Sequence, residues 1–196
     1  MTINLDFETE KRLELPLLRK AYARFQRGLC GEESWEAERE SYQEFLQEEE
    51  LWLPDYAAFM AKKSGDSEDF HCFLQYEFRK QWRRLKRYVN ERGIELIGDI
   101  PIYVSQDSSD LLSNPKLFQL SPEGELLRVA GCPPDSFAAD GQLWGNPLYD
   151  WEYHRKSGYR WWIERMRHCF SLYDIVRVDH FRGFDEYFSI PSGDKD

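Results

Sequence analysis

Residues 175–183 contain the feature that most constrains this chain, a short apolar run that changes abruptly into charge. The run ends with Arg177, Asp179, His180 and Arg182 within six positions. An unpaired carboxylate is costly to bury, so these side chains are not expected in the interior of a sheet. The pattern predicts a strand whose carboxyl end carries a polar site, as in β/α barrels. Asp179 is a candidate nucleophile there, because the neighbouring cation Arg177 favours an ionised carboxylate.

Charge and aromatic content narrow the possible partners. Acidic residues outnumber basic ones by 36 to 26, which gives a net charge of −10 in a chain of 196 residues. Nucleic acids and anionic membranes select basic surfaces, so we expect neither as a partner. The 7 Trp, 11 Tyr and 13 Phe suit a sugar-binding protein, in which ring faces pack on pyranose C–H surfaces. An aromatic core is the simpler interpretation of the same composition.

The cysteines and the amino terminus indicate a compartment. The four cysteines are widely spaced and form no C-x-x-C pair, so neither a zinc site nor a dense disulfide framework is indicated. Residues 1–8 lack the basic region and apolar run of a signal peptide. No apolar run approaches the length of a membrane span. We expect a soluble, reduced, cytoplasmic protein.

The first part of the chain is predicted to be helical. Three charged helices with apolar faces precede a polar break at residues 63–67, where Asp66 or Ser67 can cap the next helix. Apolar residues then recur at helical spacing from Phe70 to Val89. Gly93 closes this helix, the strongest in the chain, as a glycine at the C-cap does.

The second part of the chain is predicted to alternate between helix and strand. Residues 94–104 form a mostly apolar run that indicates a strand opening at Pro101, where no ladder hydrogen bond can be donated. A long loop is predicted over residues 105–149 and a helix over 150–170, before the strand at residue 175. Two helix-to-strand units favour an α/β fold with a parallel sheet.

Further candidate site residues lie at the end of the first strand and in the long loop. Asp99 shares an edge of the sheet with Asp179 if the two strands are parallel; capping the loop is an equally good interpretation. The turns at 131–137 and 140–149 combine prolines and glycines with polar and aromatic side chains suited to sugars. An ordered Ω-loop is the alternative. His180 either binds a substrate hydroxyl or braces the strand end.

Three sequence blocks together resemble the 4-α-glucanotransferases of the amylomaltase family, glycoside hydrolase family 77. They are GDIPIYVSQDSSD from Gly98, AGCPPDSFAADGQLWGNPLYDW from Ala130, and VRVDHFRGFDEYFSIP from Val176. The resemblance implies part of a TIM (β/α)8 barrel with a helical insert subdomain. On this basis residues 1–66 are expected to form the insert, and 67–196 the barrel segment with the acceptor-site loop 105–149.

The resemblance also implies roles for individual residues. Asp179 corresponds to the catalytic nucleophile and Arg177 to the arginine that pairs with it. The implied substrate-binding residues are Asp99, Asp135, Trp144, Asn146 and His180. The implied reaction transfers a segment of an α-1,4-glucan or maltooligosaccharide by a retaining double displacement, with no metal or organic cofactor. A hydrolase of the same clan and a non-catalytic glycan-binding module are the alternatives.

The same resemblance leads us to expect little transferase activity from this chain by itself. In the family, the general acid glutamate and a transition-state-stabilising aspartate come from later strands. Acid–base assistance typically contributes about 10²- to 10⁴-fold to the rate. Self-association through unpaired sheet edges is a further expectation.

Overall fold

The computed structural model describes most of the chain, namely residues 7–31, 33–134, 136 and 139–194. The chain divides into two compact units, Met1–Gln81 and Trp82–Asp196. This division falls inside the fourth helix. The assignment of residues 1–66 as an insert subdomain remains a prediction.

The first unit is helical, as the spacing of apolar residues predicts. Its helices are α1 (Phe7–Leu29), α2 (Glu36–Glu48), α3 (Leu53–Ser64) and the first part of α4 (Glu68–Asn90). Pro54 lies in the first turn of α3, where its missing N–H costs nothing. Ser67 caps α4, because its hydroxyl accepts a hydrogen bond from the Phe70 amide at 3.2 Å. The residues at these positions therefore determine where α3 and α4 begin.

Aromatic rings fill the core of the first unit. The buried side chains of this cluster are Phe25, Phe45, Leu53, Phe70, Phe73 and Tyr76. The ring centroids of Phe25 and Phe73 lie 4.9 Å apart, a typical distance for packed aromatic pairs. Much of the aromatic content of this unit therefore serves its core, in agreement with the simpler interpretation of the composition.

A parallel pair of strands organises the second unit. Strands β1 (Ile97–Pro101) and β4 (Ile175–Asp179) are parallel, as predicted from the sequence. The residues before the strands are also bonded: the Leu96 amide donates to the Asp174 carboxylate at 2.8 Å, and the Asp174 amide donates to the Leu96 carbonyl at 2.9 Å. The carboxylate also accepts from Asn90 at 2.9 Å. These bonds fix where the two strands begin relative to each other.

One face of the parallel pair is exposed. Alternate residues of both strands lie on it, among them Ile97, Asp99, Ile175 and Arg177. The opposite face includes Ile100, which is buried. The sequence pattern predicts that the charged side chains lie at the end of the strand. The structure instead places Arg177 within β4, on the exposed face. A charged side chain is tolerated there because it remains in contact with solvent.

The prediction of one long loop over residues 105–149 is wrong. The segment contains a short helix and two strands of an antiparallel sheet. The elements are α5 (Ser109–Ser113), β2 (Arg128–Cys132), β3 (Gln142–Pro147) and, later in the chain, β5 (Phe188–Pro191). The order in the sheet is β3-β2-β5. The pairing of β2 with β5 joins distant parts of the chain, so local sequence signals do not show it.

The predicted helix over residues 150–170 is two helices, α6 (Trp151–Lys156) and α7 (Arg160–Leu172). The break has a local cause, since Gly158 and Tyr159 adopt left-handed backbone conformations with φ of 66° and 55°. A left-handed residue ends an α-helix. Among the described residues, no helix is long and apolar enough to cross a membrane.

Tyr149 and Arg165 tie the core of the second unit to the segment after β1. Tyr149 is 1% exposed, and its hydroxyl donates to the Ile102 carbonyl at 2.7 Å. The Arg165 guanidinium donates to the same carbonyl at 3.1 Å and to the Pro101 carbonyl at 2.7 Å. It also lies over the Trp162 ring, with 5.0 Å to the centroid. Helix α7 thereby holds the chain where it leaves the parallel pair.

Stability is expected to fall as the pH drops below the ordinary histidine range, because His154 is fully buried. Burial lowers the pKa of His154. The unfolded chain, with an ordinary pKa of about 6.5 at this residue, takes up a proton that the folded chain resists. The prediction is that His154→Gln weakens this loss of stability, as measured by urea unfolding at pH 7.5 and pH 5.5.

The double variant His71→Gln/His154→Gln extends the test, because burial lowers the pKa of His71 as well. It should lose more of the dependence on pH than His154→Gln does. His71 accounts for a residual dependence in His154→Gln. An undiminished pH dependence in His154→Gln would contradict the assignment.

Candidate active site

Arg177 joins two carboxylates on the exposed face of the parallel pair. The register sets Asp99 opposite Arg177 and Pro101 opposite Asp179. The guanidinium donates to both oxygens of Asp99, from Nε at 2.9 Å and from Nη2 in a shorter contact. Its Nη2 lies 3.8 Å from Oδ1 of Asp179. Arg177 thus donates its hydrogen bonds to Asp99, and its positive charge also lies close to the Asp179 carboxylate.

The ion pair shifts the pKa values of both Asp99 and Arg177. The hydrogen bond from Arg177 lowers the pKa of the Asp99 carboxyl, and Asp99 in turn raises the pKa of Arg177. Asp99 is therefore charged throughout the neutral range. The planar guanidinium donates one hydrogen bond to each oxygen of the carboxylate, so Asp99 fixes the orientation of Arg177.

Asp179 is the last residue of β4 and is freely accessible. Its side chain is 67% exposed. The Arg177 side chain is 64% exposed and that of Asp99 is 52% exposed. All three point to the same side of the pair, because residues two apart on a strand share a face. The arrangement offers an open carboxylate beside a fixed cation, at the carboxyl ends of parallel strands.

His180 and Trp144 meet beside Asp179. His180 follows β4 directly and has a left-handed backbone, with φ of 56°. Its ring meets the Trp144 ring edge to face, with centroids 5.0 Å apart. Trp144 lies on β3 and is 37% exposed. The structure therefore brings two of the predicted substrate-binding residues into contact and leaves Trp144 partly exposed.

Asn146 and Gln106 attach β3 to the segment that follows β1. The Asn146 side-chain amide donates to the Val104 carbonyl at 2.8 Å, and that of Gln106 donates to the Gly145 carbonyl. Asn146 is half-buried, so this bond positions the strand that carries Trp144. Asp135, the remaining predicted substrate-binding residue, lies outside the described residues.

Two residues that position the site, Arg165 and Tyr103, have no role assigned from sequence. A third, Tyr149, is predicted from sequence as one of the aromatic side chains suited to sugars, whereas the structure buries it. Arg165 holds the carbonyls at the end of β1, Tyr149 supports the same turn, and the Tyr103 ring lies 6.2 Å from that of His180. A sequence signal exists for Arg165, a cation on the aromatic face of a predicted helix. Tyr103 is an aromatic residue next to a site residue, and its apolar character predicts only that it is buried. Among the described residues, no group of three or more His, Cys, Asp or Glu side chains could hold a metal ion.

Parallel strands with charged carboxyl ends define the chain as an α/β protein whose polar site lies at the edge of the sheet. The family model for 4-alpha-glucanotransferases, glycoside hydrolase family 77, matches residues 61–196. The chain belongs to this family.

Curated relatives agree with the family assignment. A 4-alpha-glucanotransferase of Clostridium butyricum is 42% identical over 93% of this chain. That of Aquifex aeolicus is 39% identical over 96% of the chain. In each case the chain covers 42% of the relative, so it spans less than half the length of these proteins.

Solved structures show the same fold. Amylomaltase from Streptococcus agalactiae, in complex with acarbose, superposes with a TM-score of 0.85 and is 38% identical, with 96% of this chain and 42% of that one covered. Amylomaltase from Corynebacterium glutamicum gives a TM-score of 0.76 at 21% identity, over 92% of this chain and 26% of that one. The second comparison supports the fold alone.

Asp99 and Asp174 are expected to contribute differently to stability, although both are ion-paired. Exposed ion pairs contribute little, whereas Asp174 accepts a hydrogen bond from the Leu96 backbone amide. Asp99→Ala should lower the midpoint of thermal unfolding slightly, and Asp174→Ala should lower it at least about twice as far. Differential scanning calorimetry measures both. A larger loss from Asp99→Ala would show that the Asp99–Arg177 pair is a structural element.

Proposed function

We propose that this chain carries the nucleophile of a 4-alpha-glucanotransferase site, which transfers a segment of an α-1,4-glucan to an acceptor sugar. One observation carries the proposal: in a chain of this family, Arg177 is fixed by Asp99 and lies 3.8 Å from Asp179. The cation stands beside a carboxylate that is otherwise open to a ligand. This is a suitable setting for attack on a sugar.

The proposed reaction is a double displacement. A carboxylate oxygen of Asp179 bonds to the anomeric carbon as the glycosidic bond breaks, and a general acid donates a proton to the leaving oxygen. The resulting glycosyl ester is then attacked by the 4-hydroxyl of an acceptor, which gives its proton to the same group, now acting as a base, and releases Asp179. The anomeric configuration inverts twice and is therefore retained. Arg177 keeps a positive charge beside Asp179 when the free carboxylate is regenerated.

The proposed sugar-binding residues surround this carboxylate. Trp144 offers an indole face to an acceptor ring, and His180 offers an imidazole next to the nucleophile. Asp99, Asp135 and Asn146 complete the proposed set, with Asn146 acting through its bond to the Val104 carbonyl. Acarbose in the Streptococcus agalactiae structure supports an oligosaccharide-like ligand for the site.

We further propose that β1 and β4 belong to a TIM (β/α)8 barrel and that residues 1–66 form a helical insert subdomain. Support comes from the parallel pairing, the helix that precedes each strand, and the TM-score of 0.85 with an amylomaltase. Chemistry in such barrels lies at the carboxyl ends of the strands, where Asp179 stands.

The nucleophile is tested with α-maltotriosyl fluoride as the donor, because fluoride leaves without being protonated. Attack by Asp179 is then observed without help from a general acid. The wild-type chain should release fluoride, and Asp179→Asn should slow the release by more than about 10³-fold. A fluoride electrode follows the reaction.

Asp185→Asn is the control for this assay, since it removes an exposed carboxylate close by in sequence. It should leave the rate unchanged. A wild-type chain that binds acarbose but releases no fluoride above the uncatalysed rate would overturn the proposal, as would full activity in Asp179→Asn.

Trp144 is expected to decide whether the glycosyl group passes to a sugar or to water. Loss of an aromatic contact weakens acceptor binding by roughly tenfold, equivalent to about 1.4 kcal/mol. With α-maltotriosyl fluoride and glucose, Trp144→Ala should therefore give less elongated product per fluoride released, as measured by chromatography. Leu143→Ala, an exposed neighbour on β3, is the control and should keep the wild-type ratio. An unchanged ratio in Trp144→Ala would exclude this role.

A further inference from the structure

Two polar side-chain atoms near Asp179 are buried without a hydrogen-bond partner among the described residues. They are the hydroxyl oxygen of Tyr103 and Nε2 of His180. A buried polar atom normally has a partner, because leaving it unpaired forfeits its bonds to water. Each atom can supply what the other lacks, since a phenol donates and a neutral imidazole nitrogen accepts.

Both atoms border the same point in the fold. A Cβ built on Gly183 would lie 2.9 Å from Cδ2 of His180, the carbon bonded to Nε2, and 3.3 Å from the Tyr103 hydroxyl. The two ring centroids are 6.2 Å apart, a distance that a phenol oxygen can bridge toward an imidazole. Cδ1 of Ile102 lies 3.0 Å from the same point, so a side chain at Gly183 would crowd both rings, and its absence leaves them room to approach each other.

The tyrosine is the fixed member of this pair. Tyr103 is 6% exposed, and its ring stacks on that of Tyr149 with centroids 6.1 Å apart. Burial raises the pKa of Tyr103 to about 12, so its hydroxyl keeps its proton and remains a donor at any working pH. His180 is half-buried, so its ring has more freedom to turn.

We propose that Tyr103 is a positioning residue, whose hydroxyl donates a hydrogen bond to Nε2 of His180 after a small rotation of the imidazole. The bond places the ring proton on Nδ1, because Nε2 must be unprotonated to accept. Nδ1–H is then the group that His180 offers to a sugar hydroxyl beside Asp179. This last step rests on the proposed function, whereas the pairing itself does not.

The tautomer of His180 tests the pairing without any sugar or turnover. Long-range proton–nitrogen spectra of the ¹⁵N-histidine-labelled chain at pH 8 distinguish protonation at Nδ1 from protonation at Nε2. His180→Gln identifies the signals, since the chain has 4 histidines. The wild-type chain should show His180 protonated at Nδ1. In Tyr103→Phe this signal should be lost in favour of protonation at Nε2.

A second variant and a control keep the test decisive. Gly183→Ala leaves the hydroxyl in place but puts a methyl 2.9 Å from the imidazole, so it should also abolish the Nδ1-protonated signal. Tyr153→Phe makes the same chemical change at a residue that is 37% exposed and should leave the tautomer as in the wild type. Protonation of wild-type His180 at Nε2 would overturn the proposal, as would an Nδ1-protonated ring in Tyr103→Phe. Neither outcome depends on the fluoride assay.

Discussion

The carboxylate of Asp174 is the contact on which the geometry of the site depends. It accepts hydrogen bonds from the Leu96 amide and Asn90, and it is paired with Lys86 at 3.3 Å. These bonds set where β4 begins relative to β1, and the register follows residue by residue. A slip of one residue would turn Arg177 to the opposite face, because side chains alternate along a strand. A polar contact outside both strands thus decides which charges face each other.

The charged side chains on the exposed face contribute more to the electrostatic environment of Asp179 than to the stability of the fold. An exposed ion pair adds little to the free energy of folding, because water screens it and two side chains lose freedom. A bidentate pair nevertheless holds the arginine in one orientation, so its positive charge stands at a fixed distance from Asp179. Preorganised charge of this kind would stabilise a carboxylate that reacts and is regenerated, as we propose for Asp179.

Local signals predicted the helices and the parallel strands, since periodic apolar residues and capping residues act within a few positions. The helix from Phe70 to Val89 is confirmed as part of α4, and Gly93 adopts a left-handed conformation just after it. The local break of the helix over residues 150–170 at Gly158 and Tyr159 was not predicted, and neither were the contacts between residues that are distant in the chain. The pairing of β2 with β5 and the Arg165 bonds to the end of β1 depend on tertiary contacts. The site roles assigned to Asp179 and Trp144 remain predictions, carried by motif resemblance.

Trp144 belongs to a paired strand rather than to a free loop, and β3 is hydrogen-bonded to the segment after β1 through Asn146 and Gln106. An aromatic platform built in this way is preorganised. A sugar that stacks on Trp144, as proposed above, would have little chain entropy to overcome, so more of the contact energy would be available for affinity.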